Sequence, residues 1–201
     1  MKKVITIITM FFVAGCSTPT TEITPTPTAE VTATPTPEIT EGTSEVTEFP
    51  KADMSAYSLL TDENHVFQTI SMETSVALTG SDTRVVIYYG YADCPFCQQA
   101  VPVLNEAAKE EGYTVYYVDI HSTEGSDQTA FESLFPYVES FLRLDEEGEP
   151  AFYVPMVMIA QNGKVEQVHI GLAPSATSAT MTEEQKEELK SIYIEMFEDG
   201  K

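Results

Sequence analysis

The chain predicts an α/β fold with a mixed sheet, and three observations lead to that class. A run of β-branched and aromatic residues at 85–91 precedes a helical pattern, which is followed by a second β-rich run at 113–120. Strand, helix and strand in this order predict parallel strands joined by a right-handed crossover. Farther along, Asn162-Gly163 stands between two apolar runs and indicates an antiparallel hairpin. Parallel and antiparallel pairs together make the predicted sheet mixed.

The first fifteen residues are interpreted as a targeting segment and set apart from the fold. Lys2 and Lys3 precede a short apolar stretch, and Val13-Ala14-Gly15-Cys16 resembles the cleavage box of bacterial lipoproteins. The resemblance implies a signal peptide over 1–15 and a lipid on Cys16; a plain secretory signal with an incidental cysteine is the alternative. We expect an extracytoplasmic, oxidising location, anchored to the bacterial membrane through Cys16.

Residues 16–50 are predicted to be a disordered stalk that follows the lipidated cysteine. Threonine, proline and glutamate dominate from residue 17 onward, Thr-Pro pairs recur, and there is no Lys or Arg. Such a composition buries too little apolar area to offset the entropy of ordering. We expect an extended, partly polyproline-II segment. The folded domain is then expected to span 51–201.

The charge balance bounds the classes of partner. The 201 residues include 32 acidic and 10 basic ones, which gives a formal net charge of −22. Nucleic acid is excluded as a partner, because its phosphates need a basic surface. The balance favours a soluble, self-repelling surface over a dedicated site for basic partners. No stretch reaches the roughly 20 apolar residues of a membrane-spanning helix, so membrane contact is expected through the lipid.

The start of the domain is predicted to contain a short strand and then a helix. Apolar residues from Tyr57 to Leu60 indicate the strand. Asp62 is a suitable N-cap for a helix whose apolar positions, from Val66 to Leu78, recur about every 3.6 residues.

The chemistry is concentrated where the first long strand meets its helix. There Cys94-Pro95-Phe96-Cys97 opens the helical pattern. A thiol at a helix N-terminus meets unpaired N–H groups and the positive end of the dipole, which favour the thiolate. Cys97 lies one turn later on the same face and can resolve a mixed disulfide formed at Cys94. Pro95 suits the first turn because its missing N–H costs nothing there.

Two other roles are open to this cysteine pair. A structural zinc site needs four Cys or His ligands, whereas the chain offers one further cysteine, Cys16, and three dispersed histidines, His65, His121 and His169. An inert structural disulfide is disfavoured, because so short a loop constrains little chain entropy. The pair is therefore interpreted as a redox-active dithiol that needs neither a metal nor an organic cofactor.

The second half of the domain is predicted to add helices and a hairpin. Residues 121–150 show apolar positions at helical spacing interrupted by Pro136, which predicts one kinked helix or two short ones before an acidic loop at 145–150. The strands at 154–160 and 164–170 form the hairpin. Thr182-Glu183-Glu184-Gln185 is a capping box that starts a last helix.

This order of elements resembles the thioredoxin fold over roughly residues 54–198. Cys94 and Cys97 stand where that family has its redox pair, and Pro102 matches the proline that kinks its active-site helix. Val154-Pro155 and the hairpin after it resemble the family's cis-proline strand. The resemblance implies a three-layer α/β/α fold with a central mixed sheet of four to five strands and a small helical insert at about 121–150. It also implies a cis bond at Pro155, which leaves the Val154 backbone free to pair with an extended substrate.

Some positions around the cysteines depart from the thioredoxin pattern. The buried aspartate of thioredoxins, six residues before the first cysteine, is Tyr88 here, and its lysine partner on the next strand is Tyr117. The usual proton acceptor for the resolving cysteine is therefore missing. Asp93 and His121 are candidates for that role, and solvated loop residues are the plainer interpretation of both.

We therefore expect a membrane-tethered thiol–disulfide oxidoreductase that resembles lipoprotein-anchored and bacteriocin-accessory thioredoxin-like proteins. The residues expected at the site are Cys94 and Cys97 for catalysis, Val154 and Pro155 against the substrate, and Asp93, Pro95 and Phe96 in support. The expected partners are protein or peptide thiols and disulfides and a membrane redox partner, and the chain is expected to be a monomer. The alternative is a peptide-binding or export-accessory module without redox turnover. The sequence does not fix the direction of electron flow.

Overall fold

A computed structural model describes residues 48–199 of the chain. The predicted signal peptide, Cys16 and the predicted stalk up to residue 47 lie outside these residues. Just inside them, the Phe49 ring packs edge-on against Tyr116, and the Pro50 carbonyl accepts a hydrogen bond from the Thr69 amide. Tertiary packing therefore reaches at least to Phe49.

The described residues alternate between strands and helices. In chain order the elements are β1 (Phe67–Thr69), α1 (Met72–Thr79), β2 (Val85–Gly90), α2 (Pro95–Glu111), β3 (Val115–Asp119), α3 (Gln128–Val138), a 3₁₀ turn (Glu139–Phe141), β4 (Arg143–Leu144), β5 (Pro150–Ala151), β6 (Met156–Gln161), β7 (Lys164–Ile170) and α4 (Glu183–Glu198). None of the helices within 48–199 is long and apolar enough to cross a membrane.

Five strands form one mixed sheet in the order β1-β3-β2-β6-β7. β2 is central, pairing in parallel with β3 and antiparallel with β6, and each of its residues is buried. A continuous run of β-branched and aromatic residues is what a strand covered on both faces requires. The parallel β2–α2–β3 unit predicted from the sequence is confirmed.

Alternate residues of β2 serve two separate cores. Val86 and Tyr88 face the core that includes residues of α2 and α4. Val85, Ile87 and Tyr89 face the core that includes residues of α1 and α3. Side chains alternate between the faces of a strand, so one strand is packed by two helical layers. The predicted three-layer, thioredoxin-like α/β/α class is confirmed, with five strands in the sheet.

The bounds of α2 agree with the prediction from sequence. Pro95 occupies the first turn, Pro102 lies inside the helix, and Gly112 ends it with φ of 74°. A left-handed conformation at this position costs glycine nothing because it has no Cβ. The helix therefore starts at the C-x-x-C pair and ends at Gly112.

The predicted strand at the start of the domain is wrong, and the predicted helix is right only for its second half. Residues around Tyr57 form turns, and 67–69 are a strand rather than part of a helix; α1 begins later, capped by Ser71. The Asp62 carboxylate instead binds Asn105 and Lys109 of α2. Pairing of β1 with β3, a contact between distant parts of the chain, outweighs the local helical spacing.

The insert and the hairpin largely follow the prediction. Residues 121–150 hold one helix, α3, extended by the 3₁₀ turn, and the short β4–β5 pair closes the acidic loop. Asn162 and Gly163 both have positive φ, 53° and 70°, as a two-residue hairpin turn requires. The capping box at Thr182 and Gln185 is present. β6 begins at Met156, two residues after the predicted start.

Candidate active site

The two cysteines lie at the junction of β2 and α2. Cys94 is the N-cap of α2, and its Sγ accepts a hydrogen bond from the Cys97 amide at 3.4 Å. A sulfur in this place receives one of the N–H groups that a helix N-terminus leaves unpaired. The spacing of the motif therefore sets the geometry, and Pro95 takes the position between them that needs no N–H.

The turn before Cys94 is fixed by a single side chain of α2. The Gln98 amide donates hydrogen bonds to the carbonyl of Ala92 at 2.7 Å and to the carbonyl of Ala56 at 2.9 Å. Gln98 thus connects the active-site turn to the loop that carries Tyr57. The Cys94 amide also donates to the Tyr91 carbonyl at 3.3 Å. These bonds hold Cys94 in place without using its sulfur.

The two thiols differ in environment. Both are free, and Cys94 is 5% exposed whereas Cys97 is 0% exposed. Burial raises the pKa of Cys97 from 9.0 to about 12, although Tyr88 and a backbone hydrogen bond to Tyr91 act in the opposite direction. Desolvation disfavours the thiolate more than these neighbours stabilise it. Both thiols are thus buried, and Cys94 is the less enclosed of the two.

A cluster of buried tyrosines surrounds Cys97. The hydroxyls of Tyr57 and Tyr117 are hydrogen-bonded at 3.0 Å, and the rings of Tyr88 and Tyr117 stack with centroids 5.5 Å apart. Burial raises the pKa of all three phenols, so they stay neutral. The positions that hold an aspartate and a lysine in thioredoxins are occupied here by hydroxyls in an apolar core.

Gly90 makes room for this arrangement. A Cβ at Gly90 would lie 2.7 Å from Tyr88 Cζ and 3.1 Å from Cys97 Sγ. Residues two apart on a strand face the same side, so the Tyr88 side chain extends along β2 over Gly90. The ring and the sulfur therefore meet in space that any larger residue would fill.

Val154 and Pro155 adjoin a groove next to the C-x-x-C turn. The Val154–Pro155 peptide bond is cis, as the thioredoxin resemblance implied. The groove has a volume of about 390 Å³ and is lined by Phe96, Arg143, Tyr153, Val154 and residues of 170–174 and 176–178. Phe96 and Tyr153 are 43% and 44% exposed, which is high for aromatic side chains. The structure thus places Phe96 and Val154 on one surface.

The candidate proton acceptors do not reach Cys97. His121 is exposed, with its ring stacked on Tyr91 at a centroid distance of 3.7 Å, and Asp93 is exposed as well. Within 48–199, no hydrogen bond connects either side chain to Cys94 or Cys97. Solvated loop positions, the plainer interpretation, fit both residues better.

His65 and His169 lie apart from the cysteines. The His65 ring packs near Phe67, and His169 Nε2 lies 3.2 Å from the Leu172 carbonyl. Across residues 48–199 there is no group of three or more His, Cys, Asp or Glu side chains placed to hold a metal ion.

Two residues near the site could not be recognised from the sequence. Tyr57 comes from a segment predicted to be a strand, and Arg143 comes from the insert. Both reach the site only through tertiary folding. The sequence did indicate that tyrosines surround Cys97, because Tyr88 and Tyr117 occupy paired positions on the adjacent strands β2 and β3.

No family model and no curated protein matches the chain. Solved structures do show similarity to it. Thioredoxin O2 from Arabidopsis thaliana is 16% identical, with a TM-score of 0.43, over 69% of this chain and 100% of that one. A thioredoxin from Malassezia sympodialis is 21% identical, with a TM-score of 0.41, over 68% and 98%. The oxidised thioredoxin from Plasmodium falciparum is 15% identical, with a TM-score of 0.39, over 64% and 95%. These TM-scores are all below 0.5, so both the fold and the chemistry of the site are argued from the chain's own geometry.

Proposed function

We propose that this chain is a thiol–disulfide oxidoreductase that exchanges its Cys94–Cys97 dithiol with protein or peptide disulfides. The observation that carries the proposal is the capping position of Cys94, whose Sγ lies 3.4 Å from the Cys97 amide nitrogen. The two sulfurs lie one helical turn apart, Cys94 slightly exposed and Cys97 not exposed at all, and would serve as the attacking and the resolving group.

The exchange needs no group beyond the two sulfurs. In the reducing direction, the Cys94 thiolate attacks a substrate disulfide, a mixed disulfide forms, and one substrate thiolate leaves. The Cys97 thiolate then attacks Cys94 Sγ, and the second substrate sulfur leaves as the Cys94–Cys97 disulfide forms. Two electrons pass to the substrate, whose sulfurs take up the protons that the two thiols release. The reverse sequence donates a disulfide, and the reduction potential of the pair decides the direction.

An extended peptide would lie in the groove beside Phe96. The thioredoxin resemblance implies that the Val154 backbone pairs with such a strand, and the exposed rings of Phe96 and Tyr153 would give it apolar contacts. Backbone pairing gives affinity independent of sequence, while the groove selects side chains. The substrate class that fits is an unfolded or extended segment that carries a cysteine.

The cellular setting that we propose follows from the sequence outside the described residues. Cys16 would carry the lipid, the chain would act outside the cytoplasm as a monomer, and a membrane redox partner would recycle the dithiol. The lipid is tested by detergent-phase partitioning of the full chain. Partitioning that persists in the Cys16→Ala variant would contradict the anchor.

Single cysteine variants test the exchange. We expect Cys97→Ser to accumulate a mixed disulfide with a cysteine-containing peptide disulfide, detected by mass spectrometry, because the resolving sulfur is missing. Cys94→Ser should form none, since the buried Cys97 cannot reach the peptide. Both variants carry Cys16→Ser so that no third thiol reacts. Equal adduct formation by both variants would contradict the assigned roles.

A binding module without redox turnover is the second candidate. The complete burial of Cys97, and the pKa of about 12 that burial gives it, favour this role because a protonated thiol does not attack. The module predicts that the pair fails to equilibrate with glutathione buffers. Measuring the reduction potential in such buffers separates the two candidates, because only an exchanging pair yields a value.

A further inference from the structure

The Tyr88 hydroxyl has no hydrogen-bond partner within residues 48–199, although it is completely buried. Buried polar groups in folded proteins are nearly always paired, because losing water without a replacement costs stability. The hydroxyls of Tyr89 and Tyr193 are also buried and unpaired, so what distinguishes Tyr88 is its position.

The hydroxyl lies against the sulfur of Cys97. The end of the Tyr88 ring and Cys97 Sγ approach the same point above Gly90, at 2.7 Å and 3.1 Å from where a Cβ would be. The other nearby hydroxyls, on Tyr57 and Tyr117, already bond to each other. The Tyr88 hydroxyl is thus adjacent to the Cys97 sulfur, and the Tyr57 hydroxyl is the other group close enough to interact with it.

The groups facing Cys97 come from every neighbouring element, and none of them is a carboxylate or a cation. They are Cys94 and Tyr91 from the active-site turn, Tyr88 from β2, Tyr117 from β3, Tyr57 from the loop before β1, and Tyr193 from α4. A thiolate formed here therefore has no ion-pair partner among the described residues. Only dipolar groups can stabilise it, and a neutral hydroxyl does so by donating a hydrogen bond.

We infer that Tyr88 is a catalytic residue that donates a hydrogen bond to the Cys97 thiolate while that sulfur resolves the mixed disulfide. In this step Cys97 releases its proton, its sulfur attacks Cys94 Sγ, and the S–S bond between Cys94 and the substrate breaks. The departing substrate sulfur takes the electron pair and a proton, so charge and protons balance. Tyr88 keeps its own proton throughout, because burial raises its pKa far above 10.0. The inference rests on the proposed function.

The test uses 5,5′-dithiobis(2-nitrobenzoate), a coloured disulfide, with the full chain carrying Cys16→Ser. The first equivalent of thionitrobenzoate reports the attack by Cys94, and the second reports the resolution by Cys97. Tyr88→Phe keeps the ring and removes only the hydroxyl. We expect the second phase to slow roughly ten- to hundredfold at pH 7, the range that a hydrogen bond to a charged group is worth. The first phase should not change.

Two further readouts separate chemistry from structural damage. The second phase of Tyr88→Phe should recover as the pH rises, because alkali supplies the thiolate that the hydroxyl no longer stabilises. Tyr89→Phe is the matched control: Tyr89 is the next residue of β2, its hydroxyl is equally buried and unpaired, and it faces the opposite core. It should leave both phases unchanged.

Each outcome has one meaning. A second phase in Tyr88→Phe that equals the wild-type rate, or an equal slowing in Tyr89→Phe, would overturn the role of Tyr88. A slow second phase that alkali does not restore would also overturn it. If the chain with Cys94, Cys97 and Tyr88 intact releases no second equivalent at any pH, the proposed exchange itself fails.

Discussion

Tyr88 and Tyr117 are neutral residues at the two positions where thioredoxins have a buried aspartate and a lysine. They are paired in register on adjacent parallel strands, and their rings stack. A carboxylate at position 88 without a cation at position 117 would be a buried, uncompensated charge, which is strongly destabilising. The two tyrosines thus belong together, and they leave Cys97 with hydroxyl neighbours rather than a charged one. In the proposed exchange, Cys97 would therefore depend on hydrogen bonding and not on proton transfer to a carboxylate.

Replacing Gly90 with alanine should disturb both the fold and the resolving sulfur. The new Cβ would lie 2.7 Å from Tyr88 Cζ and 3.1 Å from Cys97 Sγ. We expect a loss of roughly 1–3 kcal/mol in the free energy of unfolding, as for other overpacked cores. Urea denaturation measures it. Gly80→Ala is the control, since its Cβ would meet nothing closer than 3.5 Å at an ordinary helical φ of −80°. Equal stability of Gly90→Ala and the parent protein would show that the space is not needed.

At the scale of elements, the sequence predicted those helix ends and turns that depend on interactions between residues close together in the chain. The start of α2 at Pro95, its end at Gly112 and the Asn162-Gly163 turn were all predictable, because each depends on a residue's own backbone preferences. The segment around residues 57–70 was mispredicted, because β1 exists only through its pairing with β3. A three-residue strand carries too little pattern of its own to be distinguished from a helical turn.

The candidate site likewise has features that the sequence predicts and features that depend on tertiary packing. The positions of Cys94 and Cys97 were predictable because three residues of spacing on a helix fix them. The contact of Tyr88 with Cys97 was not, since it depends on the absence of a side chain at Gly90 and on the packing of α2 over β2. Arg143 was missed because the β4–β5 pair that carries it formed no recognisable pattern.

The β4–β5 pair should tune the charge preference of the groove through Arg143. This residue lines the groove and donates to the Ile170 carbonyl, and it has no carboxylate partner within 48–199, whereas Arg84 and Lys109 do. Arg143→Gln should slow the reaction with the anionic 5,5′-dithiobis(2-nitrobenzoate) by up to about fivefold at low salt, from about 1 kcal/mol of attraction between charges. The rate with cationic cystamine should not fall.

Two controls support that measurement. Lys164→Gln also removes one positive charge. Lys164 begins β7, whereas Arg143 contacts Ile170 at the end of that strand, so this variant should leave both rates nearly unchanged. Arg143→Lys should retain most of the preference. Salt near 1 M should remove it, because the Debye length falls to about 3 Å. Slowing of both disulfides by Arg143→Gln would indicate a structural effect instead.

At the scale of the whole molecule, acidic charge is the dominant feature. A formal net charge of −22 repels anionic partners at long range. The site itself is different: a buried sulfur, neutral tyrosines and an aromatic groove with one cation. In the proposed exchange, a substrate segment would therefore be selected by contacts in the groove rather than by the overall charge of the protein.

The stability of the reduced protein should fall in alkali because of Cys97. Its folded pKa is about 12, raised by burial, against 9.0 when unperturbed. Below pH 9 both states keep the proton and nothing is lost. Between pH 9 and about 12 the unfolded chain releases it while the folded chain retains it, so the folded state becomes less stable as the pH rises. At pH 10 the loss is about 1.4 kcal/mol, one pH unit's worth.

Urea denaturation of the reduced protein at pH 8 and pH 10, beside Cys97→Ser, measures this loss. The buried tyrosines are common to both proteins, so the difference between them isolates the thiol. Serine does not ionise in this range, and the variant should lose less stability by about the stated amount. The same fall in both proteins would mean that Cys97 loses its proton in the folded state as readily as in the unfolded chain. The folded protein would then already stabilise the Cys97 thiolate as well as water does, so this equilibrium measurement bears directly on the kinetic one.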